Sequence, residues 1–530
     1  MTDPTTPDAG TPTDAVVVLG TGPAGIAVAE GLLKRGRSVV LVDGGAARER
    51  DTDRELNAGD EARGVWGHEP LHENRRRVLG GTSTAWGGRC IPLDPVDFEQ
   101  RDWIPDSGWP IPYAEFARWL PEAARLLEIP DTPFRRSSPD PIFATGEEID
   151  GAPIELWSPP TDVSRLLAHL QSTEPRLTVL TDHHVTGLVL DADQRLVALR
   201  AVTERGEVLL RGERFVLAAG ALENARLLLT SALAQRLPAL GRYYMSHVFA
   251  TYVAYSGKPL PRATGFFRIG RTYARHRWQL TAAAQRAARV GNVIGFIARP
   301  PVQRMSVHLD PLSATIAAVK LVRRHLRSPQ ELWRQRRQLA VYGRVIAAAP
   351  PSFWPHVVAQ SLQRGRRNRL PMLLPPREAR THHLTVQAEH LPHRDSRVAL
   401  SDRVDRYGVP LLVPEIDFHR ADFESVEVFH QAMERFLGGL GYRPDQDPAT
   451  ATRSLARDMF GGFNSNAHHI GTTRMGADPA TSVVDADCRV HGVQNLFVAG
   501  ASVFPTSGHA NPTLSIVALA CRLADRLGSA

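Results

Sequence analysis

At 530 residues with a formal net charge of +7, the chain is too long for one simple core, and two or three domains are expected. A hydrophobic share of 43% and a charged share of 22% are those of a globular protein, which excludes a disordered or fibrous chain. Three widely spaced cysteines (Cys90, Cys488, Cys521) exclude a disulfide framework and lack metal-ligand spacing, so a reducing, cytoplasmic setting is expected.

Met1 to Asp14 is rich in Thr, Pro and Asp, has neither Lys nor Arg, and contains no apolar stretch. It reads as a disordered lead-in over residues 1–12 rather than a secretory signal. No uninterrupted apolar run reaches the length of a membrane span, so no such helix is expected.

Asp14 to Gly20 is a β-branched run of the kind found in buried parallel strands, and Gly22 to Arg35 follows with apolar residues at helical spacing. Gly36 is a suitable helix stop, and Ser38 to Val42 is the next buried strand. Pro112 to Ile129 reads as one amphipathic helix. Leu177 to Leu180, Val185 to Leu190 and Leu196 to Val202 read as strands of a meander. Phe215 to Gly220 is an apolar strand entering a helix through Ala221. Between His247 and Asp458, strand-like pieces at Phe249 to Tyr255, His383 to Glu389 and Arg397 to Leu400 flank a basic helical region.

That region, residues 304–380, carries fifteen Lys/Arg against three acids, with apolar residues such as Ile316, Val319, Leu321 and Trp333 between the cations. An amphipathic helix pair fits it. A solvated arginine face over a substrate entrance is favoured over docking to a membrane surface or an acidic partner. Nucleic acid is not expected, since no reader motif accompanies the charge.

Gly20-Thr21-Gly22-Pro23-Ala24-Gly25 is G-x-G-x-x-G between a strand and a helix. Gly20 permits the tight turn, Gly22 lets the backbone reach a pyrophosphate, and Gly25 lets helix and strand pack closely. Asp43 ends the second strand, where a carboxylate accepts hydrogen bonds from ribose hydroxyls. The motif alone fits NAD or FAD. Its N-terminal position in a long chain and the lack of a second such motif favour FAD. Phe497-Val498-Ala499-Gly500-Ala501 also ends a buried strand at a small-residue turn able to approach a flavin ring.

The end of the chain carries His468-His469-Ile470-Gly471-Thr472-Thr473-Arg474-Met475-Gly476 and then His509-Ala510-Asn511-Pro512-Thr513. With the N-terminal motif, Gly80-Gly81-Thr82-Ser83 and Ala218-Ala219-Gly220-Ala221, these segments resemble the glucose–methanol–choline (GMC) oxidoreductases. Their form is most similar to the pyranose oxidase, glycoside 3-oxidase and fructose dehydrogenase branches. The resemblance implies an α/β fold: a discontinuous FAD-binding Rossmann-type domain with an inserted α+β substrate domain carrying an antiparallel sheet. It divides the chain into FAD-binding parts at 13–100, 175–246 and 459–530, a connecting or lid segment at 101–174, and a substrate domain at 247–458.

It also implies that Gly80, Gly81 and Thr82 pack against the flavin, together with Ala85, Trp86, Val185, Ala219, Gly220, Gly500, Ala501, Pro512 and Thr513. His468 and Asn511 match the pair that acts at its reactive edge. In pyranose oxidases with covalent flavin the loop reads Ser-Thr-His-Trp, whereas this chain has Ser83-Thr84-Ala85-Trp86. Alanine cannot bond to flavin, so FAD is expected to be non-covalent.

Oxidising an alcohol means taking the hydroxyl proton while hydride leaves carbon. Histidine, with an unperturbed pKa near ~6.5, can accept that proton, whereas asparagine can only hold and orient the oxygen. His468 is therefore assigned as base and Asn511, which also borders the cofactor, as positioner. Arg474 is read as a structural ion-pair partner, and His469 as turned away from the site. His509 is expected to line the substrate cavity.

Gln387 and Glu389 share a strand face, lining either the substrate side or solvent. His183-His184 and His382-His383 lack partners at zinc spacing, so no metal is expected. No G-x-S-x-G elbow occurs. The expected partners are a small alcohol or sugar and then oxygen or another electron acceptor. An aminoglycoside or other glycosylated natural product is a second substrate class. A flavin-containing electron-transfer or docking subunit is the reading of a different kind.

Overall fold

The computed structural model describes residues 9–63, 68–159, 162–258, 265–298, 329–347, 381–453 and 467–529, with positions 315, 318, 321, 322 and 354. Most of the basic region 304–380 thus lies outside the described residues. The elements that position the site are, in chain order, β1 (Val16–Leu19), α1 (Pro23–Lys34), β2 (Val39–Val42), β3 (Leu177–Leu180), β4 (Arg214–Leu217), α2 (Ala221–Leu229), β5 (His247–Ser256), β6 (Val293–Ala298), β7 (Thr381–Glu389), α3 (Arg420–Gly439), β8 (Leu496–Val498) and α4 (Thr513–Ser529).

A five-stranded parallel sheet runs in the order β8-β4-β1-β2-β3. Its central strands are apolar on both faces because helices cover both sides, and β1 and β2 are fully buried. This is the α/β, doubly wound architecture of a dinucleotide-binding domain. Leu177–Leu180 joins this sheet beside β2 instead of the meander expected for it. The meander is built from His184–Leu190, Leu196–Thr203 and Gly206–Arg211.

A second, antiparallel sheet has Arg443–Pro444 at one edge, then β5, β7, β6, Trp278–Leu280 and Ile149–Asp150. It backs onto a separate apolar cluster that includes Trp278, Leu384, Val386 and, from α3, Val426, Phe429 and Met433. The parallel sheet has its own cluster, which α4 joins through Leu514, Val517, Ala518 and Leu523. Among the described residues these are the two large apolar clusters, as a chain of this length requires.

The single helix expected from Pro112 to Ile129 is two short ones, Tyr113–Ala117 and Leu120–Leu126. Pro121 is the cause: it has no N–H to donate, and its ring clashes with the carbonyl four residues back, at Ala117. No helix among the described residues is long and apolar enough to cross a membrane.

Candidate functional site

The C-terminal ends of β1, β4 and β8 lead into Gly20, Gly220 and Gly500, each with positive φ. A Cβ on Gly25 would overlap the Gly20 carbonyl, so helix and strand approach here only because position 25 has no side chain. On Gly22 and Gly220 a Cβ would meet nothing within 4 Å. The backbone there faces open space. α1 starts at Pro23 with no side-chain cap, which leaves its first amides and the positive end of its dipole aimed at that space.

The Gly80–Thr84 turn closes the other side, where a Cβ on Gly81 would lie 3.2 Å from Gly22 Cα. Thr82, Ala85 and Gly220 are exposed, and Gly22, Pro23, Gly81, Trp86, Val185 and Ala219 are half-buried. Ala24, Gly25, Gly80, Gly500, Ala501 and Pro512 are buried behind them, and Thr513 begins α4.

Asp43 accepts hydrogen bonds from Thr21 N (2.9 Å), Thr21 Oγ1 (2.6 Å) and Gly45 N (2.8 Å). Burial pushes its carboxyl up, and these three donors pull it back toward the ionised form. The acid assigned to a ribose thus also braces the glycine turn. An uncapped helix start, an open glycine backbone and a buried strand-end acid fit a dinucleotide. Gly25→Ala is expected to lose most retained FAD, read as the ratio of flavin to protein absorbance after purification. A fully yellow variant would show that the Gly20–Gly25 approach is not needed.

The pair expected to act as base and positioner meets beside this cradle. Ile470 bridges Met245, and the turn that follows donates from Gly471 N to Ala501 O (3.1 Å) and from Thr473 N to Ser502 O (2.9 Å). These bonds lay the His468 segment along the loop after β8. His468 Nε2 lies 3.3 Å from Asn511 Nδ2, and both residues are half-buried. Gln387 Nε2 donates to His509 O (2.6 Å) and reaches Asn511 Oδ1 at 3.5 Å, tying the Asn511 loop to β7. Burial, with a smaller contribution from the Arg89 guanidinium, holds the His468 imidazole at about 4.

Two of the residues assigned to substrate are placed otherwise. Glu389 is fully buried, pairs both oxygens with Arg101 (2.7 and 2.8 Å) and accepts from Asn292 N (3.0 Å). A carboxylate taken out of water needs such partners, so it is a structural anchor rather than a lining residue. His509 is likewise fully buried, with Nε2 2.8 Å from Asp94 Oδ2. Burial opposes its charge, but Asp94 overrides that and raises its pKa. Gln387 is buried too, with Asn511 as a neighbour.

His469 is turned from the pair: its Nδ1 lies 2.7 Å from Tyr244 Oη, which also meets His68 Nε2 at 2.8 Å. Arg474 was expected in an ion pair. It instead stacks 4.2 Å over Tyr243 and donates to the Asp106 carbonyl (2.6 Å).

His183 Nδ1 and His382 Nε2 contact the carbonyls of Thr181 and Lys258. His390, His393 and Asp422 lie together, yet His390 Nδ1 accepts from Ser246 N and its Nε2 donates to Asp417 O. No lone pair is left on that ring for a cation.

Sequence reading missed His247, whose Nδ1 lies 2.9 Å from His468 Nδ1 with the rings at 89°. Its one signal is a histidine heading the largely apolar strand β5. The acids Asp94 and Asp97 were also missed. Both lie beside His509, and burial with the neighbouring Asp94 and Glu389 charges pushes Asp97 up to about 7.

Residues 392–520 match the GMC oxidoreductase family model. The chain is 35% identical over 146 residues to 6'''-hydroxyparomomycin C oxidase of Streptomyces lividus, covering 27% of this chain and 24% of that protein. It is 36% identical over 140 residues to paromamine 6'-oxidase of Streptomyces fradiae, covering 26% and 24%. To C-glycoside 3-oxidase of Microbacterium trichothecenolyticum it is 35% identical over 128 residues, covering 24% and 23%. The matches thus span about a quarter of these curated relatives. Over the whole length, the structure is similar to pyridoxine 4-oxidase from Mesorbium loti at TM-score 0.55 and 18% identity, covering 98% of this chain and 100% of that one. It is similar to Aspergillus oryzae formate oxidase at TM-score 0.53 and 15% identity, covering 98% of each. At these identities the likeness shows the fold.

Proposed function

Taking as premise that its C-terminal part carries the GMC oxidoreductase sequence, we propose that the chain is an FAD-dependent enzyme oxidising C–OH to C=O on a sugar or glycoside-like substrate. The observation that carries this reading is the 3.3 Å meeting of His468 Nε2 and Asn511 Nδ2 beside the glycine cradle. Gly20, Gly22, Gly25, Asp43 and the Gly80–Thr82 turn would hold non-covalent FAD, whose oxidised flavin supplies a hydride acceptor.

The remaining steps belong to side chains. Asn511 Nδ2 is a donor for the alcohol oxygen, and Gln387 fixes that amide from behind. His468 Nε2 takes the hydroxyl proton as the C–H bond breaks. Because burial keeps this imidazole at about 4, it is neutral and ready to accept at pH 7. The low value follows chiefly from the part of the ring taken out of water, where a cation is costly.

The second reading, oxidation of an aminoglycoside hydroxyl, is favoured by the first two relatives, which are named for 6'''-hydroxyparomomycin C and paromamine.

Anaerobic mixing of holoenzyme with sugars, glycosides and aminoglycosides tests both, with bleaching of the flavin band as readout. Sugar or glycoside bleaching is expected. Bleaching by aminoglycosides alone would transfer the assignment to the second reading, and no bleaching by any member would remove it. The pH profile gives an independent check. A depressed base is lost as pH falls through its own pKa, so kcat/KM should be flat through neutrality. It should fall about tenfold per pH unit below about 4. An acid limb near or above the ordinary histidine value would contradict the buried base.

A further inference from the structure

We infer that His247 is a positioning residue for His468: its unprotonated Nδ1 accepts the His468 Nδ1 proton and so leaves the Nε2 lone pair facing Asn511. The inference rests on reading His468 as the base, and concerns a residue that the match over 392–520 does not reach.

The donors fix the assignment. Gln387 Nε2 is a donor, so the atom of Asn511 it meets is the carbonyl oxygen. The Asn511 atom beside His468 Nε2 is then the amide nitrogen, another donor. His468 Nε2 must therefore carry a lone pair, and a neutral imidazole with its lone pair there has its proton on Nδ1. Two ring nitrogens 2.9 Å apart share one proton, so His247 Nδ1 is the acceptor. The chain Gln387–Asn511–His468–His247 thus runs with one direction of donation on each side of the base. The opposite tautomer would place donor against donor at Asn511.

His247 differs from the carboxylate that orients histidine in hydrolytic triads. It is 1% exposed, and the groups facing it are His468, His509 and His390, with the Ser507 backbone. Each imidazole would repel a cation there, and burial adds to the cost. The proton taken from substrate therefore stays on His468. The substrate O–H bond breaks to Nε2, hydride carries both electrons to the bound flavin of the proposed reaction, and Nδ1 keeps its proton and its bond to His247. A neutral acceptor orients the ring without raising its basicity as a carboxylate would. The Arg89 guanidinium acts on His468 in the same sense, against charge. The base is thus held in the reactive tautomer yet releases its proton readily afterwards.

Three variants test this in the holoenzyme: His247→Asn keeps an acceptor oxygen near the Nδ1 position, His247→Leu removes it, and His247→Asp makes it anionic. Flavin content and melting temperature report whether each is folded. His247→Leu is expected to slow flavin reduction about 10- to 100-fold at saturating substrate with KM little changed, the size of one buried donor left unpaired. His247→Asn should recover most of that loss, and His247→Asp should move the acid limb of kcat/KM to higher pH. Independently of turnover, 15N-imidazole spectra of histidine-labelled protein, assigned by difference from His468→Ala, should show His468 protonated at Nδ1. Equal loss in the Leu and Asn variants, an unmoved limb in the Asp variant, or an Nε2-protonated His468 would overturn the inference. Should His247→Leu not fold, the Asn and Asp variants and the spectrum decide it. Should no alcohol reduce the wild-type flavin, the functional reading fails while the spectrum still tests the tautomer.

Discussion

Replacing His468 with alanine should leave a yellow, folded protein whose flavin no longer bleaches with substrate. The side chain contributes nothing to the glycine cradle: Gly20, Gly22, Gly25, Asp43 and the Gly80–Thr84 turn come from other segments. It is only half-buried, so truncation opens little cavity. What is lost is the acceptor for the hydroxyl proton. General-base catalysis is worth roughly 10²–10⁴-fold, so stopped-flow reduction should slow by that factor or more. The variant should retain wild-type FAD stoichiometry. Reduction at the wild-type rate would leave His468 without a role in proton transfer and shift weight to a docking or electron-transfer subunit.

Glu389→Ala should act on stability. The carboxylate is fully buried and bonded twice to Arg101, which is itself 1% exposed. Removing it strands a guanidinium in the interior, which typically costs about 3–5 kcal/mol. The buried Asn292 amide loses its acceptor as well. Burying such a pair is not strongly stabilising in itself, because desolvation offsets the attraction, but breaking it is one-sided. Denaturant unfolding should show the unfolding free energy lowered by that amount, with the midpoint at lower denaturant, or the protein should fail to accumulate. An unchanged midpoint with an altered KM would return Glu389 to the substrate side.

The parallel sheet was legible because its strands are continuous apolar runs closed by glycines, a local pattern that needs no knowledge of neighbours. Leu177–Leu180 shows the limit. Its strand character is local, but its partner β2 lies far back in the chain, so sequence order suggested the meander beside it. In the Tyr113–Leu126 region the signal was present: helical spacing of apolar residues outweighed Pro121, and the missing N–H decided otherwise. α3 went unread although it is 20 residues long. Its start depends on a capping arrangement of His419 with Asp422, and its apolar positions sit among many charges.

The site divides in the same way. His468 and Asn511 were identified through motifs that resemble those of a family, and the structure puts them together. Alternation correctly set Gln387 and Glu389 on one strand face, but both faces of that strand are buried, and the partner that lets Glu389 be buried, Arg101, lies 288 residues away. His247 reaches His468 across 221 residues, and no spacing rule links them.

The most direct measurement is whether the purified chain is yellow. On denaturation, the supernatant should hold free FAD at about one per chain, while the precipitated protein retains none, since Ala85 offers no atom for a covalent bond. A colourless protein that takes up no added FAD would contradict the cradle, the catalytic pair and the reaction together.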